Sequence, residues 1–150
     1  MYSKHHALLS LVVAGVLVSV LPPVTVAGHT VPAVALVVYG TAVGVLVDLD
    51  HFLIARLETG NWDAVRFCLA NPAAVVVDQR RIFDRGDVGA LSRLLSHLLI
   101  VGIVVPAVAL SSPPLAILTG GVLYVHLVSD VAWDIRRLDR AADVSVDEVI

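Results

Sequence analysis

Charge is scarce in this 150-residue chain: 15% of its residues are charged, well below the roughly one quarter typical of soluble domains. No Lys/Arg-rich run occurs and the net charge is only −3, so the electrostatic footprint expected of a nucleic-acid-binding protein is missing. The single cysteine, Cys68, excludes an intrachain disulfide. With no Cys or His beside it in sequence, it reads as a small packed residue rather than a ligand. Hydrophobic residues make up the difference, at 58% of the chain with a mean hydropathy of +0.90. That composition predicts a single membrane domain.

The apolar residues gather in four runs, 7–21, 31–47, 94–110 and 115–132, almost free of charge inside. Runs of this length reach about 25 Å as helices, slightly short of a bilayer core, so flanking residues snorkel or the bilayer thins. Pro22-Pro23 ends the first run, and Pro32 suits the first turn of the second. Ser111-Ser-Pro-Pro114 joins the third and fourth with a connection short enough to require antiparallel neighbours. The expected fold is therefore all-α, a four-helix antiparallel transmembrane bundle with a polar insertion at 52–92 between the second and third helices. Within the insertion, residues 61–69 read as a short amphipathic helix, 73–77 as either strand or helix, and Asn71-Pro72 and Arg85-Gly86-Asp87 as turns. The charged tail, 136–150, is expected to fray from 144 onward.

All ten Lys/Arg residues fall in the N-terminus, the insertion or the tail, and none in the two Pro-rich turns. The positive-inside rule then places both termini and the insertion in the cytoplasm. Lys4, the first apolar run and Thr25-Val-Ala27 also resemble a secretory signal peptide. Retention of that segment is the more consistent reading, because it gives an even number of spans with every polar cluster on one side.

Those clusters carry the chemistry. Asp48-Leu-Asp50-His51 closes the second run, and His6, His97 and the pair His126/Asp130 mark the matching ends of the others. His126 and Asp130 are one helical turn apart, and Asp134 continues their stripe. Asp48 and His51 share a face if the second helix extends that far, with Asp50 turned aside unless the helix unwinds. Each residue alone reads as an interfacial side chain or a helix cap. Their joint occurrence at one membrane face, with His29 the only ionisable residue at the other, points instead to a metal site. Imidazole with carboxylate suits a divalent ion, zinc first among them, and Asp48 with Asp50 could bridge two. Arg93 either binds an anionic substrate or anchors the third helix at the headgroups. Trp133 and Tyr2 suit an interfacial belt.

These residues resemble the family of inner-membrane-associated metal-dependent hydrolases described as LexA-binding, related to zinc-dependent phospholipase C and P1 nuclease. The family's Thr-His-Ala-Leu-Leu-Gly is similar to the segment from His5 to Ser10 and carries a ligand role onto His6. Its Pro-Asp-x-Asp-His resembles the segment from Val47 to His51, its His-Arg-Gly-x-Thr-His the segment from Ser92 to His97, and its His-x-x-x-Asp the segment from His126 to Asp130. The chain departs from that pattern at Val47, Ser92 and Leu94, so a reduced metal count or an inactive relative is an open alternative. The resemblance implies hydrolysis of a phosphoester by metal-activated water.

The resulting expectation is a membrane-bound hydrolase acting on a phospholipid or other phosphoester at the cytoplasmic face. One to three ions would be held by His6, Asp48, Asp50, His51, His97, His126 and Asp130. Asp50 or Asp130 would handle the water's proton and Arg93 would neutralise phosphate. A metal-stapled scaffold that docks a protein partner through 52–92 is the principal alternative. Metal transport ranks lower, since the span interiors offer neither broken helices nor ionisable residues at depth.

Overall fold

A computed structural model of the chain describes residues 3–77, 79–84 and 86–147; Tyr2, Arg85 and the last three residues of the tail lie outside the described residues. The architecture is all-helical apart from one two-stranded ribbon. Helix α1 (Ser3–Val20) stops before Pro22-Pro23, and the chain reverses through β1 (Thr25–Val26) and β2 (His29–Thr30). Ala27 and Gly28, at φ 50° and 82°, form the turn between these antiparallel strands. Two consecutive positive φ values match the twist that a tight hairpin needs.

Pro32 then caps α2 (Ala33–Leu46). A 3-10 turn over Val47–Leu49 links α2 to α3 (Asp50–Thr59), which ends at Gly60 in the left-handed region with its N–H donating to Arg56 O. The insertion continues with α4 (Asp63–Ala70) and α5 (Ala74–Val77), so the stretch at 73–77 that sequence left open is a short helix. Helix α6 (Ala90–Ala109) contains Pro106 near its end, and α7 (Pro113–Asp147) starts on two prolines whose missing N–H groups need no partner there. The expected fraying of the tail is not observed up to Asp147: the backbone remains helical that far, 17 residues beyond Asp130.

Three segments are long and apolar enough to cross a membrane: Ala33–Thr59, Ala90–Ala109 and Pro113–Leu138. Lys4–Val20 is a shorter apolar helix packed against α2 and α7. Helix α6 lies at the edge, against α7 and α3, with Ile103 and Leu110 exposed at 69% and 93%. An apolar face this bare is what a lipid-facing helix requires.

The core of α1, α2 and α7 is built from Ala14, Leu36, Leu118 and Val122. Gly40 sets how closely the helices approach: a Cβ there would stand 2.7 Å from Ala14 Cβ. Gly44, one turn on, would meet the Ser10 side chain in the same way. Small residues at such contacts let helices pack by dispersion where no water drives them together. Thr119, fully buried, donates to Leu115 O and accepts from the Tyr39 hydroxyl, both at 2.8 Å, which ties α2 to α7.

Candidate metal centre

The turn of 3-10 helix at Val47–Leu49 decides what the end of α2 can present. In a continuous α-helix Asp48 and His51 would share a face and Asp50 would point elsewhere; the tighter turn brings all three to one side. Asp50 Oδ2 stands 3.2 Å from His97 Nδ1, and His51 Nε2 lies 3.4 Å from Asp48 Oδ1. Helix α1 contributes His6, α6 contributes His97, and α7 contributes His126 and Asp130, each no more than 4% exposed. All seven ligand candidates read from the sequence therefore converge, although they come from four separate apolar segments.

Two overlapping groups emerge. His6, Asp48, His126 and Asp130 form one, and Asp48, His51 and His97 the other, with ligand atoms in each group within 4.8 Å of one another. Asp48 belongs to both. Its Oδ1 lies 3.3 Å from His126 Nε2 and 3.4 Å from His97 Nε2, while those two nitrogens are 3.2 Å apart. Donors bound to one tetrahedral zinc stand about 3.3 Å apart, given bond lengths of about 2.0 Å, so this near-equilateral triangle matches one face of such a site. Further donors flank it: Asp130 Oδ2 is 3.5 Å from His126 Nε2, and Asp130 Oδ1 is 3.2 Å from His6 Nε2.

Imidazole tautomers follow from the backbone. His126 Nδ1 donates to Gly44 O at 2.8 Å and His97 Nδ1 donates to Arg93 O at 2.9 Å, because a carbonyl can only accept. Each neutral ring is then left with a lone pair on Nε2, and those lone pairs face each other. This arrangement repels unless a cation or a shared proton sits between them. Pinning one ring nitrogen to a carbonyl so that the other can ligate is also the usual outer support of a metal-binding histidine.

The fit of a divalent ion can be tested on the polar atoms left over. Asp48 Oδ1, both Asp50 oxygens, His51 Nε2 and both His6 nitrogens are buried without a hydrogen-bond partner. A network of imidazolium–carboxylate pairs would align N–H with oxygen; here the donor atoms approach to 3.2–3.8 Å without that alignment. Buried polar groups left unpaired carry a desolvation penalty, and a shared cation removes it. The residues present fit a metal.

Other sequence candidates belong to neither ligand group. Arg93 is engaged by α7: its Nε lies 3.5 Å from Asp130 Oδ2 and its Nη2 hydrogen-bonds Asp134. Ser92 donates to Glu58 at 3.2 Å and so ties the start of α6 to α3. Cys68 is half-buried on α4, burial pushes its thiol pKa up, and it belongs to neither ligand group. His29 is exposed on β2.

Three contributors went unread in the sequence. Phe83 of the insertion packs edge-on against His51 at 6.1 Å, and nothing in its local sequence marks it. Gly44 supplies both the carbonyl for His126 and the room for α1; its signal was the small-residue spacing Gly40-x-x-x-Gly44, one turn before Asp48. Asp134 was noted only as continuing a stripe.

Comparison with protein-family models, with curated proteins and with solved structures finds no match.

Proposed function

We propose that this chain is a four-helix integral membrane protein that holds divalent metal, zinc first, at the cytoplasmic face and hydrolyses a phosphoester there. The observation that carries the metal reading is the triangle of Asp48 Oδ1, His97 Nε2 and His126 Nε2, closed by edges of 3.2–3.4 Å with two tautomers fixed by backbone carbonyls. Three carboxylates inside an apolar bundle add to the case, since uncompensated negative charge at that depth is costly. Sidedness rests on the distribution of Lys and Arg, and counting α1 as a fourth span rests on its packing against α2 and α7.

A divalent ion here supplies water acidified towards neutral pH. The chain's own residues do the rest. Asp48, shared between the two ligand groups, is the candidate bridge if two ions bind. Asp50 lies 3.2 Å from His97 Nδ1 through Oδ2 and would accept a proton through its other oxygen. Asp130 joins His6, His126 and Arg93. Substrate choice follows from location and from the family resemblance: an amphipathic phosphoester presents its headgroup at this plane.

A second reading has its own observation. The crevice beside the centre, lined by Leu94, Leu127, Arg93 and Asp134 among others, has a volume of about 10 Å³. That space suits a water molecule and excludes a phosphoester. In this reading the metal only staples the four segments, and the insertion docks a protein. A phosphoester entering by this crevice would require α6 and α7 to part at Leu94 and Leu127. Elemental analysis of detergent-purified protein tests the metal, and turnover of phosphodiester and phosphomonoester probes by metal-loaded protein tests hydrolysis. Bound metal with no turnover above the His97→Ala variant leaves the scaffold.

A further inference from the structure

Arg93 is one turn before His97 on α6, and Asp130 and Asp134 are one and two turns beyond His126 on α7. The two helices run past each other so that His97 meets His126, and the guanidinium comes next in line, between the two carboxylates. The contacts are unequal. Asp134 takes a directed hydrogen bond from Nη2, whereas Nε approaches Asp130 Oδ2 at 3.5 Å, an ion-pair distance. Arg93 and Asp134 are 16% and 23% exposed at the side chain, while Asp130 is 5%.

A flexible arginine beside a buried carboxylate has many rotamers, and only some direct Nε at one oxygen. The outer hydrogen bond selects among them, because a planar guanidinium held at Nη2 has its Nε direction fixed as well. Asp130 is then turned so that Oδ1 meets His6 and Oδ2 meets His126. We propose that Asp134 is a positioning residue for the metal centre, acting through Arg93 to set the orientation of Asp130. This rests on the metal reading above. It also gives Arg93 a role different from neutralising phosphate, since its charge is already met on both sides by α7.

The test is a zinc titration of the detergent-purified full chain against a chromophoric chelator, with cobalt absorption as a second probe of ligand geometry. Removing an outer partner of a metal ligand weakens affinity about 10–100-fold. Asp134→Asn is expected to show that loss with altered cobalt bands, and Asp134→Glu to recover most of the affinity. Arg93→Gln is expected to weaken binding at least as much, and Asp134→Asn added to Arg93→Gln to cost nothing further, since the path through the guanidinium is already cut. Ser92→Ala, which removes the α3–α6 tie away from the centre, controls for loosening of α6 and should leave zinc affinity within twofold.

Equal losses from Asp134→Asn in the wild-type and Arg93→Gln backgrounds overturn the proposal. So does a lowered thermal midpoint with unchanged affinity, which marks a purely structural staple. A wild type that takes up no zinc or cobalt overturns the metal reading and this one together. A metal-loaded wild type with unaffected Asp134→Asn overturns this one alone.

Discussion

His97 and His126 turn their Nε2 atoms towards each other at 3.2 Å, with each ring's Nδ1 committed to a backbone carbonyl, Arg93 O of its own helix for His97 and Gly44 O of α2 for His126. Neither ring can rotate to relieve the confrontation without abandoning that carbonyl. In the neutral tautomers two electron pairs would face each other at fixed positions, a repulsion that a bound cation or a shared proton would relieve. If a metal binds between these nitrogens, its binding free energy becomes folding free energy.

Stability should therefore follow metal supply. A ligand that binds only the folded state at 100 times its Kd stabilises by about 2.7 kcal/mol. The thermal midpoint of the detergent-purified protein is expected to rise with added zinc and fall with chelator, and His126→Ala should lose most of that response. A midpoint indifferent to both treatments counts against a shared cation at these nitrogens.

Asp48 and Asp50 are two residues apart, yet their substitutions should differ. Asp48 Oδ1 lies within 3.4 Å of three imidazoles and serves both ligand groups, whereas Asp50 belongs to neither and stands 3.2 Å from His97 Nδ1, on the side of the ring away from Asp48. Asp48→Asn is expected to lower the number of bound ions. Asp50→Asn should keep that number and weaken affinity about 10–100-fold. Elemental analysis gives the first quantity and chelator competition the second; identical behaviour of the two variants contradicts the assignment.

These two aspartates also show what the sequence could and could not reveal. That these candidate ligands gather at one end of the helices was legible, because apolar runs of similar length joined by short turns leave little freedom in where their ends lie. His6, Asp48, His51, His97, His126 and Asp130 were grouped on that basis, and the structure brings them together. Asp50 depends on unwinding, because a 3-10 turn at Val47–Leu49 has no composition of its own that would announce it. The ribbon at Thr25–Thr30 escaped notice because its turn is Ala27-Gly28, without the Asn-Gly or Asp-Gly pair that announces such hairpins. Arg93's engagement was invisible for another reason: its partners are 37 and 41 residues away on another helix.

Gly44 couples packing to chemistry. A methyl group there collides with Ser10, and α1, which carries His6, must move away from α2. Overpacking of this kind costs about 1–3 kcal/mol. Gly44→Ala is expected to destabilise by that order and to weaken zinc binding, and the swap Ser10→Gly with Gly44→Ala should recover part of both. Gly102→Ala on α6, where a Cβ meets nothing within 4 Å, is the neutral comparison. Equal effects at the two glycines, by thermal melt and zinc titration, mean that the close approach of α1 does not matter to the centre.

Phe83 bears on exchange rather than affinity. Its ring packs edge-on against His51 and, at 5.1 Å, against Phe52, so the insertion walls the His51 side of the centre. His51 keeps 16% side-chain exposure even so, which makes this the wetter side compared with His97 and His126 at 2% or less. A chelator reaching the centre from the His51 side meets this wall first. Phe83 supplies no ligand atom of its own, so the number of bound ions should be unchanged in Phe83→Ala. Stripping by excess chelator, followed by stopped-flow absorbance, should accelerate several-fold, with Leu99→Ala on the exposed face of α6 as the comparison. An unchanged stripping rate in Phe83→Ala would place the entry path elsewhere, and the crevice between α6 and α7 at Leu94 and Leu127 is then the next candidate.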